Sequence, residues 1–425
     1  MIKFLFKGLI RDKSRSLLPV IVVALGVILS VVFSGYIVGA MGGMISQSAR
    51  FSTGHVKVVT KAYQQEISQK PIDLSILDLQ ETLDKLHQQF PDMDFVPRIN
   101  FGGMLDVPDA QGQTRAQGTG NAMALDLRKG SHDAERLNIA SSIVEGHYPT
   151  KPFEILMGDG LMARLQLKIG DQVTFFGATM DGAMSFQNLT VAGTISFGTV
   201  SLDNQTFIID LKDAQQILDM RDASPEIFGY LPNDIYNREM TEQVRDQFNA
   251  QVDPADEYAP IMMTLGEQNN LQKLISMAEE YGSGINILFI IAMSIVLWNT
   301  GLLGGLRRYQ EFGIRIALGE SKKSIYKSLL SESFMVGFVG SLLGTVLGLA
   351  VVYYLQEVGI DTTAYTTNTS STNLMISNVI RAEITPSLFY VGFIPGVCAT
   401  FLGAVLSGRG IFKRQTSQLF NELGV

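Results

Sequence analysis

Residues 307–333 read "RRYQEFGIRIALGESKKSIYKSLLSES". This stretch is dense in charge, yet an apolar run lies on each side of it. The flanking runs are 285–306, "INILFIIAMSIVLWNTGLLGGL", and 334–355, "FMVGFVGSLLGTVLGLAVVYYL". Each matches the roughly 20 apolar residues an α-helix needs to cross a bilayer. Two more runs do the same, at 17–38 and 388–406, and none of the four contains Asp, Glu, Lys or Arg. The 425 residues are 46% hydrophobic and only 17% charged, below the charge of about one quarter usual in soluble domains. Four membrane spans diluting an ordinary polar region account for that balance. The run at 17–38 follows basic residues, as a signal peptide would. It exceeds the roughly 7–15 residues of a signal-peptide core and lacks a clear small-x-small site after it, so it reads as a retained helix.

Charge distribution predicts how the spans are oriented. The segment before the first span, the 307–333 loop and the tail after 406 together hold fourteen basic and five acidic residues, a net of +9; the rest of the chain carries −17. Both termini and the 307–333 loop are therefore expected in the cytoplasm. The long region after the first span, and the loop at 356–387, are expected outside. The acidic total argues against nucleic acid as a partner.

The large outer region mixes strand and helix signals, so its expected class is α+β. "HVKVV" at 55–59, "QVTFF" at 172–176, "LTVAGTI" at 189–195 and "QTFIID" at 205–210 read as strands. Residues 73–90 and 211–220 show helical apolar spacing. "EILMGDGLMARLQL" at 154–167 reads as a short helix packed on a sheet, and Gly170–Asp171 as a turn. "PDAQGQTRAQGTGN" at 108–121 reads as an exposed loop. From about 264 to 306 one helix is expected to rise from the membrane as a stalk, the alternative being a break at Gly282–Ser283–Gly284.

No catalytic constellation emerges. Phosphate-loop, zinc-protease and nucleophile-elbow motifs are absent. His55, His87, His132 and His147 lack ligand spacing, so no metal site is expected. The single Cys398 reads as a small buried hydrophobe. Glycines recur at four-residue spacing in the spans: Gly35 and Gly39, then Gly340, Gly344 and Gly348, then Gly392 and Gly396. Such spacing lets helix backbones approach closely, and these positions are the candidate packing surface. Four helices leave little room for a channel within one chain, which points to a dimer.

Within the opening stretch, 309–318 is expected to form a short helix. Glu311 and Arg315 make an i, i+4 pair and Phe312 and Ile316 an apolar stripe. Gly319 suits a C-terminal cap and Ser321 an N-cap for the helix that follows.

These residues resemble the loop of FtsX/MacB-type ABC transporter permeases, a family that includes lipoprotein-releasing permeases. The family pattern R-x-x-E-I-G-I-x-R-A-L-G-A-x-x-x-x-I is matched at Arg308, Glu311, Gly313, Ile314, Ala317, Leu318, Gly319 and Ile325, with Glu332 beyond it. Phe312, Ile316 and Glu320 depart from it. "GHYPTKPFEILMGDGLMARLQLKIGDQVTFF" at 146–176 and "STGHVKVV" at 52–59 resemble the family's MacB-type periplasmic domain. The usual closing Pro-Ala-x-x-A segment is replaced by "SGRGIFKRQTSQLF".

The resemblance implies four transmembrane helices plus a large α+β extracytoplasmic domain. Its expected divisions are a cytoplasmic segment 1–16, a first transmembrane segment 17–45, the periplasmic domain 46–265, a stalk and second helix 266–306, the coupling loop 307–333, a third helix 334–355, a periplasmic loop 356–387, a fourth helix 388–406 and a cytoplasmic tail 407–425. It implies a non-catalytic permease in the inner membrane, working beside a separate ABC ATPase that would hold the ATP and Mg. It implies an ATPase-coupling set of Arg308, Glu311, Phe312, Gly313, Ile314, Arg315, Ala317, Leu318 and Gly319. Other implied partners are a second copy or paralogue of this chain and a periplasmic lipoprotein carrier or adaptor. The implied cargo is lipoprotein or another amphiphile. Export of peptides or small toxins, and signalling to a periplasmic cell-wall hydrolase, are the competing readings.

Overall fold

A computed structural model describes residues 13–109, 111–268, 314–362 and 378–413, with scattered positions between 271 and 296 that are all helical. The chain divides into two compact units. One comprises Met1–Gly42, Ile275–Ile360 and Ile380–Val425; the other comprises Gly43–Leu274 and Asp361–Val379.

The first unit is built on three long helices, Lys13–Ser48, Lys322–Val358 and Leu388–Lys413. Among the described residues these three are long and apolar enough to cross a membrane. The fourth expected span, 285–306, lies mostly outside the described residues.

Glycine decides how these helices pack. Val23, Val27 and Val31, all fully buried, lie against Gly340, Gly344 and Gly348 in the same order, so the first two helices run parallel. A Cβ on Gly344 would stand 2.8 Å from Val27 Cβ and 2.7 Å from the Ala24 carbonyl. The third helix runs antiparallel to the second. It sets Thr400 against Gly337, Gly396 against Ser341 and Gly392 against Thr345. Each glycine faces a small hydroxyl residue across this pair, and Gly392 and Gly396 also make room for Val27 and Val31 of the first helix. Gly35 and Gly39 play a different part. Gly35 receives Val352 and Leu388, and Gly39 receives the backbone of Arg381 and Ala382. The chain at 381–384 is thereby held beside the helices, with Glu383 N–H donating to Gly35 O (3.0 Å) and Ile384 N–H to Gln356 Oε1 (3.2 Å). Cys398 is exposed on its helix rather than buried, because it lies on the face opposite Gly396 and Thr400.

The second unit is α/β. Its strands are β1 Val56–Thr60, β2 Asp94–Pro108, β3 Thr114–Leu125, β4 Ile143–Gly146, β5 Glu154–Gly158, β6 Gln172–Ala178, β7 Met184–Ile195, β8 Thr206–Asp210, β9 Glu226–Tyr230 and β10 Pro260–Thr264. The order β10-β1-β9-β2 forms a sheet whose apolar face is covered by helices Leu79–Gln89 and Arg238–Asn249. Val56, Val58, Phe95, Ile227, Leu83 and Leu86 meet there. The 15-residue β2 is shared: 94–98 pair with β9, and 99–108 pair with β3.

Beyond that crossing the pairings close on themselves. β2 pairs β3, β3 pairs β8, β8 pairs β5, β5 pairs β7, β7 pairs β6, and β6 returns to β2. Six strands thus form a barrel with no free edge. Phe175 sits in its core, edge-on to Phe101 at 5.4 Å and to Phe207 at 6.4 Å.

Three expectations for this unit are corrected. Residues 114–121 are strand, not loop. Gly118 and Gly120 occupy inward positions of β3, where a Cβ at 120 would lie 2.6 Å from Leu105 Cδ1. The core's bulk comes from neighbouring strands, so β3 carries no apolar alternation to read. "EILMG" at 154–158 is a fully buried strand before the short helix Asp159–Arg164, because β5 lies between β7 and β8 and is covered on both faces. The helix expected at 73–90 begins only at Leu79, because Ile76 is held extended by paired backbone bonds to Ser224.

Replacing Gly344 by Leu should lower the stability of the detergent-solubilised protein by roughly 1–3 kcal/mol, the usual cost of overpacking. Leu342→Ala, on an exposed face, should change it by less than about 0.5 kcal/mol. Thermal unfolding of both variants tests this; equal effects would remove the glycine face from the packing account.

Candidate functional site

The first long helix ends in a wide turn, Ala49–Thr53, closed when Gly54 N–H donates to Ala49 O (3.0 Å). Gly54 has φ +64° and a Cβ there would stand 2.5 Å from Val56 O, so the chain can leave the helix only through glycine. The last carbonyls of a helix have no partner within it. Here four of them accept side-chain donors from the α/β unit. Tyr230 OH donates to Ala49 O (3.1 Å), an Arg98 Nη donates to Arg50 O, Lys57 Nζ donates to Ser52 O (2.6 Å), and Gln268 Nε2 donates to Thr53 O (3.2 Å). All these groups belong to the second unit.

Strand alternation aims these side chains. Arg98 and Asn100 on β2, and Glu226, Phe228 and Tyr230 on β9, share one face of the sheet; the register sets Arg98 opposite Glu226. That face is charged where the opposite face is apolar.

Arg98 is fully buried. Its Nε and Nη2 hold Asp133 Oδ2 and Oδ1 at 2.8 and 2.6 Å, and Nη2 also donates to Tyr230 OH (3.0 Å). Its guanidinium lies 4.5 Å from the centre of the Phe228 ring. Asp133 comes from the short helix His132–Arg136. Arg136 of that helix donates to Asp94 and Asp234, both at 2.8 Å, and stacks 3.8 Å over Tyr230. Lys57 pairs with Glu226 at 2.5 Å, and Asn100 Nδ2 donates to the other oxygen at 2.7 Å. Burial pulls Lys57 below the usual lysine range against the pull of Glu226. Burial also works to raise Glu226, but Lys57 and Lys70 hold it below the usual carboxylate range. Every charged group in this cluster has a partner, as buried charges require.

His55 borders the cluster. Its Nδ1 accepts from Leu231 N–H (3.0 Å), which leaves the ring neutral with its proton on Nε2. The ring meets Tyr230 and Tyr236 edge-on at 5.4 and 5.8 Å. Burial lowers its pKa from 6.5 to about 4, opposed by Asp234 and reinforced by Arg136.

None of the cluster residues stands out from sequence motifs. The available signal is a lone charge inside a β-branched or apolar run, Lys57 in "HVKVV" and Arg98 in "DFVPRINF".

Of the expected coupling set, Arg308, Glu311, Phe312 and Gly313 lie outside the described residues. Ile314, Arg315 and Ala317 form a helical turn ended by Leu318 and Gly319. Gly319 has φ +92°; Gly319 N–H donates to Ile316 O and Glu320 N–H to Arg315 O, the paired bonds of a glycine-terminated helix. Ser321 then caps Lys322–Val358 through Ser324 N–H. Ile316 tucks against Ile325 and Leu329. The exposed apolar pair is instead Ile314 and Leu318, at 55% and 82% exposure.

A second exposed apolar feature lies on the barrel. Met104, Phe176 and Phe186 sit side by side on β2, β6 and β7, with Met184 nearby at 84% exposure. Among the described residues, no group of three or more His, Cys, Asp or Glu is arranged to hold a metal ion.

Breaking a buried ion pair from one side costs roughly 3–5 kcal/mol. Arg98→Met should destabilise the α/β unit by about that much, and the double variant with Asp133→Leu should recover most of it. Chemical denaturation checks this, and a neutral single variant would refute the clamp. Because the folded pKa of His55 lies below its unfolded value, the stability it contributes is present above pH 6.5 and lost as pH falls through about 4. The loss should reach about 3 kcal/mol. His55→Asn, which keeps an acceptor for Leu231, should flatten that profile.

A family model described as MacB-like periplasmic core domain matches residues 16–266, more than half of the chain. One described as FtsX-like permease C-terminal matches residues 283–416. The macrolide export ATP-binding/permease protein MacB of Acinetobacter baylyi is 26% identical over 140 residues, which are 32% of this chain and 20% of that protein. The chain thus spans about a fifth of that relative's length. The crystal structure of the periplasmic region of MacB from Actinobacillus actinomycetemcomitans aligns with 55% of this chain and 97% of its own, at 10% identity and a TM-score of 0.35. With its apolar membrane helices and its α/β periplasmic domain, the chain belongs to the FtsX/MacB-type family of ABC transporter permeases.

Proposed function

We propose that this chain is the inner-membrane subunit of a transporter in which a separate ATPase, holding ATP and Mg, drives motion of the periplasmic domain to extract or release lipoprotein or another amphiphilic cargo. The observation that carries this reading is the clamp on Ala49–Thr53. Four side chains of the periplasmic domain grip the backbone where the first helix ends. A pull on that helix would therefore reach the sheet through buried hydrogen bonds rather than through a slack linker. The termini and the 307–333 loop would face the cytoplasm, following the basic excess there. Ile314 and Leu318 would seat in the ATPase, with Arg315 and Glu311 at the rim. A second copy or paralogue would complete the helix bundle.

The row Met104, Phe176 and Phe186 favours an amphiphilic cargo or carrier, since an exposed apolar row invites an apolar partner. Export of peptides or small toxins has the name of the Acinetobacter relative in its favour, a protein described as exporting macrolides. Signalling to a cell-wall hydrolase has no specific feature to favour it.

Leu318→Glu should leave insertion and folding unchanged, because the side chain is exposed. It should cut ATPase association or cargo-stimulated hydrolysis about tenfold, the loss of roughly 1.4 kcal/mol at the contact. Unchanged assembly and hydrolysis would remove Leu318 from the contact. Photocrosslinking from Phe186, with the ATPase present, should recover an acylated protein; recovery of none would count against lipoprotein release.

A further inference from the structure

Half of the exposed apolar surface on the barrel is thioether. Met184 is 84% exposed and Met104 43%, beside Phe176 and Phe186. The strand register puts them on one face. Met104 stands opposite Phe176, Phe176 opposite Phe186, and Met184 two residues before Phe186 on the same strand. Met184 opens β7 directly after the turn at 179–183 and stands opposite Ala178. That cross-strand neighbour is too small to cover its sulfur.

Elsewhere in the domain the methionines are mostly shut away. Met93, Met123, Met157, Met220, Met262 and Met263 are buried. Met240 and Met277 are exposed, but they lie on helices and off the row. A thioether is oxidised where its lone pairs can be reached, and the sulfoxide it becomes is polar. The two sulfurs of the row are not equal. Gln117 Nε2 donates to Met104 Sδ, which engages a lone pair and makes that sulfur the weaker nucleophile. Met184 is therefore expected to react first.

We infer that Met184 and Met104 form an oxidation site that switches this surface from apolar to polar. The inference rests on reading the row as the contact for an amphiphile. The oxidant is a peroxide. A sulfur lone pair attacks one peroxide oxygen, so that an S–O bond forms as the O–O bond breaks. The second oxygen leaves with the bonding pair, takes the proton of the first and departs as water. Sulfur is oxidised and the peroxide is reduced. The new S–O dipole holds water, and an acyl chain can lie over the row only by stripping that water away. Reduction of the sulfoxide reverses the change. An oxidant outside the membrane would thus weaken amphiphile binding without acting on the ATPase.

The test uses the full chain in nanodiscs of zwitterionic lipid, without ATPase. Graded hydrogen peroxide is followed by peptide mass spectrometry, and a photoreactive dodecyl maltoside reports apolar contact at Phe176 and Phe186. Met184 should gain oxygen first and Met104 second, with Met157 and Met263 unmodified. Labelling of the Phe176 and Phe186 peptides should then fall about fivefold, equivalent to roughly 1 kcal/mol. Methionine sulfoxide reductases A and B should restore it. Met104→Leu/Met184→Leu keeps the apolar bulk and should hold its labelling through the same treatment, while its Met240 and Met277 still oxidise. Three results would overturn the switch and leave the contact reading standing: Met157 oxidising as fast as Met184, labelling that persists once Met184 and Met104 carry oxygen, or an equal loss in the leucine variant. No labelling of the untreated chain would overturn both. If the leucine variant misfolds, oxidation and reduction of the wild-type chain still decide.

Discussion

Four carbonyls at the end of one helix set the terms for much of the periplasmic domain. Ala49 O keeps one backbone donor, Gly54 N–H; Arg50, Ser52 and Thr53 would be orphaned where the helix stops, and a helix C-terminus carries partial negative charge. Two buried cations, a tyrosine and a glutamine meet them. Each cation then needs its own counter-charge, which brings in Asp133 for Arg98 and Glu226 for Lys57. Asp133 in turn fixes helix His132–Arg136, and Arg136 fixes Asp94 and Asp234. One backbone constraint thus propagates through a chain of paired charges, in which removing any member leaves another unsatisfied.

The barrel and the membrane helices solve their packing problems by the same means. Where a large side chain must sit in a narrow space, its neighbours are glycine. Phe175 is flanked by Gly103 and Gly177, Leu105 by Gly120, and Val27 by Gly344 and Gly392. In the barrel this fills a closed ring; among the helices it replaces a hydrophobic drive that lipid does not supply.

These solutions differ in how far they can be read. Four-residue glycine spacing in an apolar helix is periodic, so Gly340, Gly344 and Gly348 are visible as a face. Their partners Val23, Val27 and Val31 look like any membrane valines, and Gly337 opposite Thr400 escapes the pattern. In β3 the inward glycines erase the alternation that marks a strand, so 114–121 passes for a loop. The apolar pair exposed at the turn 314–319 is Ile314 and Leu318 because Ile316 turns inward onto Ile325, a choice made by the following helix.

The sequence by itself determined three long apolar helices, the mixed α/β character of the large domain and the family. Those depend on run length, charge sparing and local spacing, which are properties of neighbouring residues. Only the tertiary structure decided the closed barrel, the crossing of β2 between two sheets and the clamp on Ala49–Thr53. Those depend on residues brought together from far along the chain, such as Lys57 with Glu226 and Arg98 with Asp133. A lone lysine or arginine in an apolar strand announces that a partner exists. Its identity is settled by burial, which makes an unpaired charge too costly to keep.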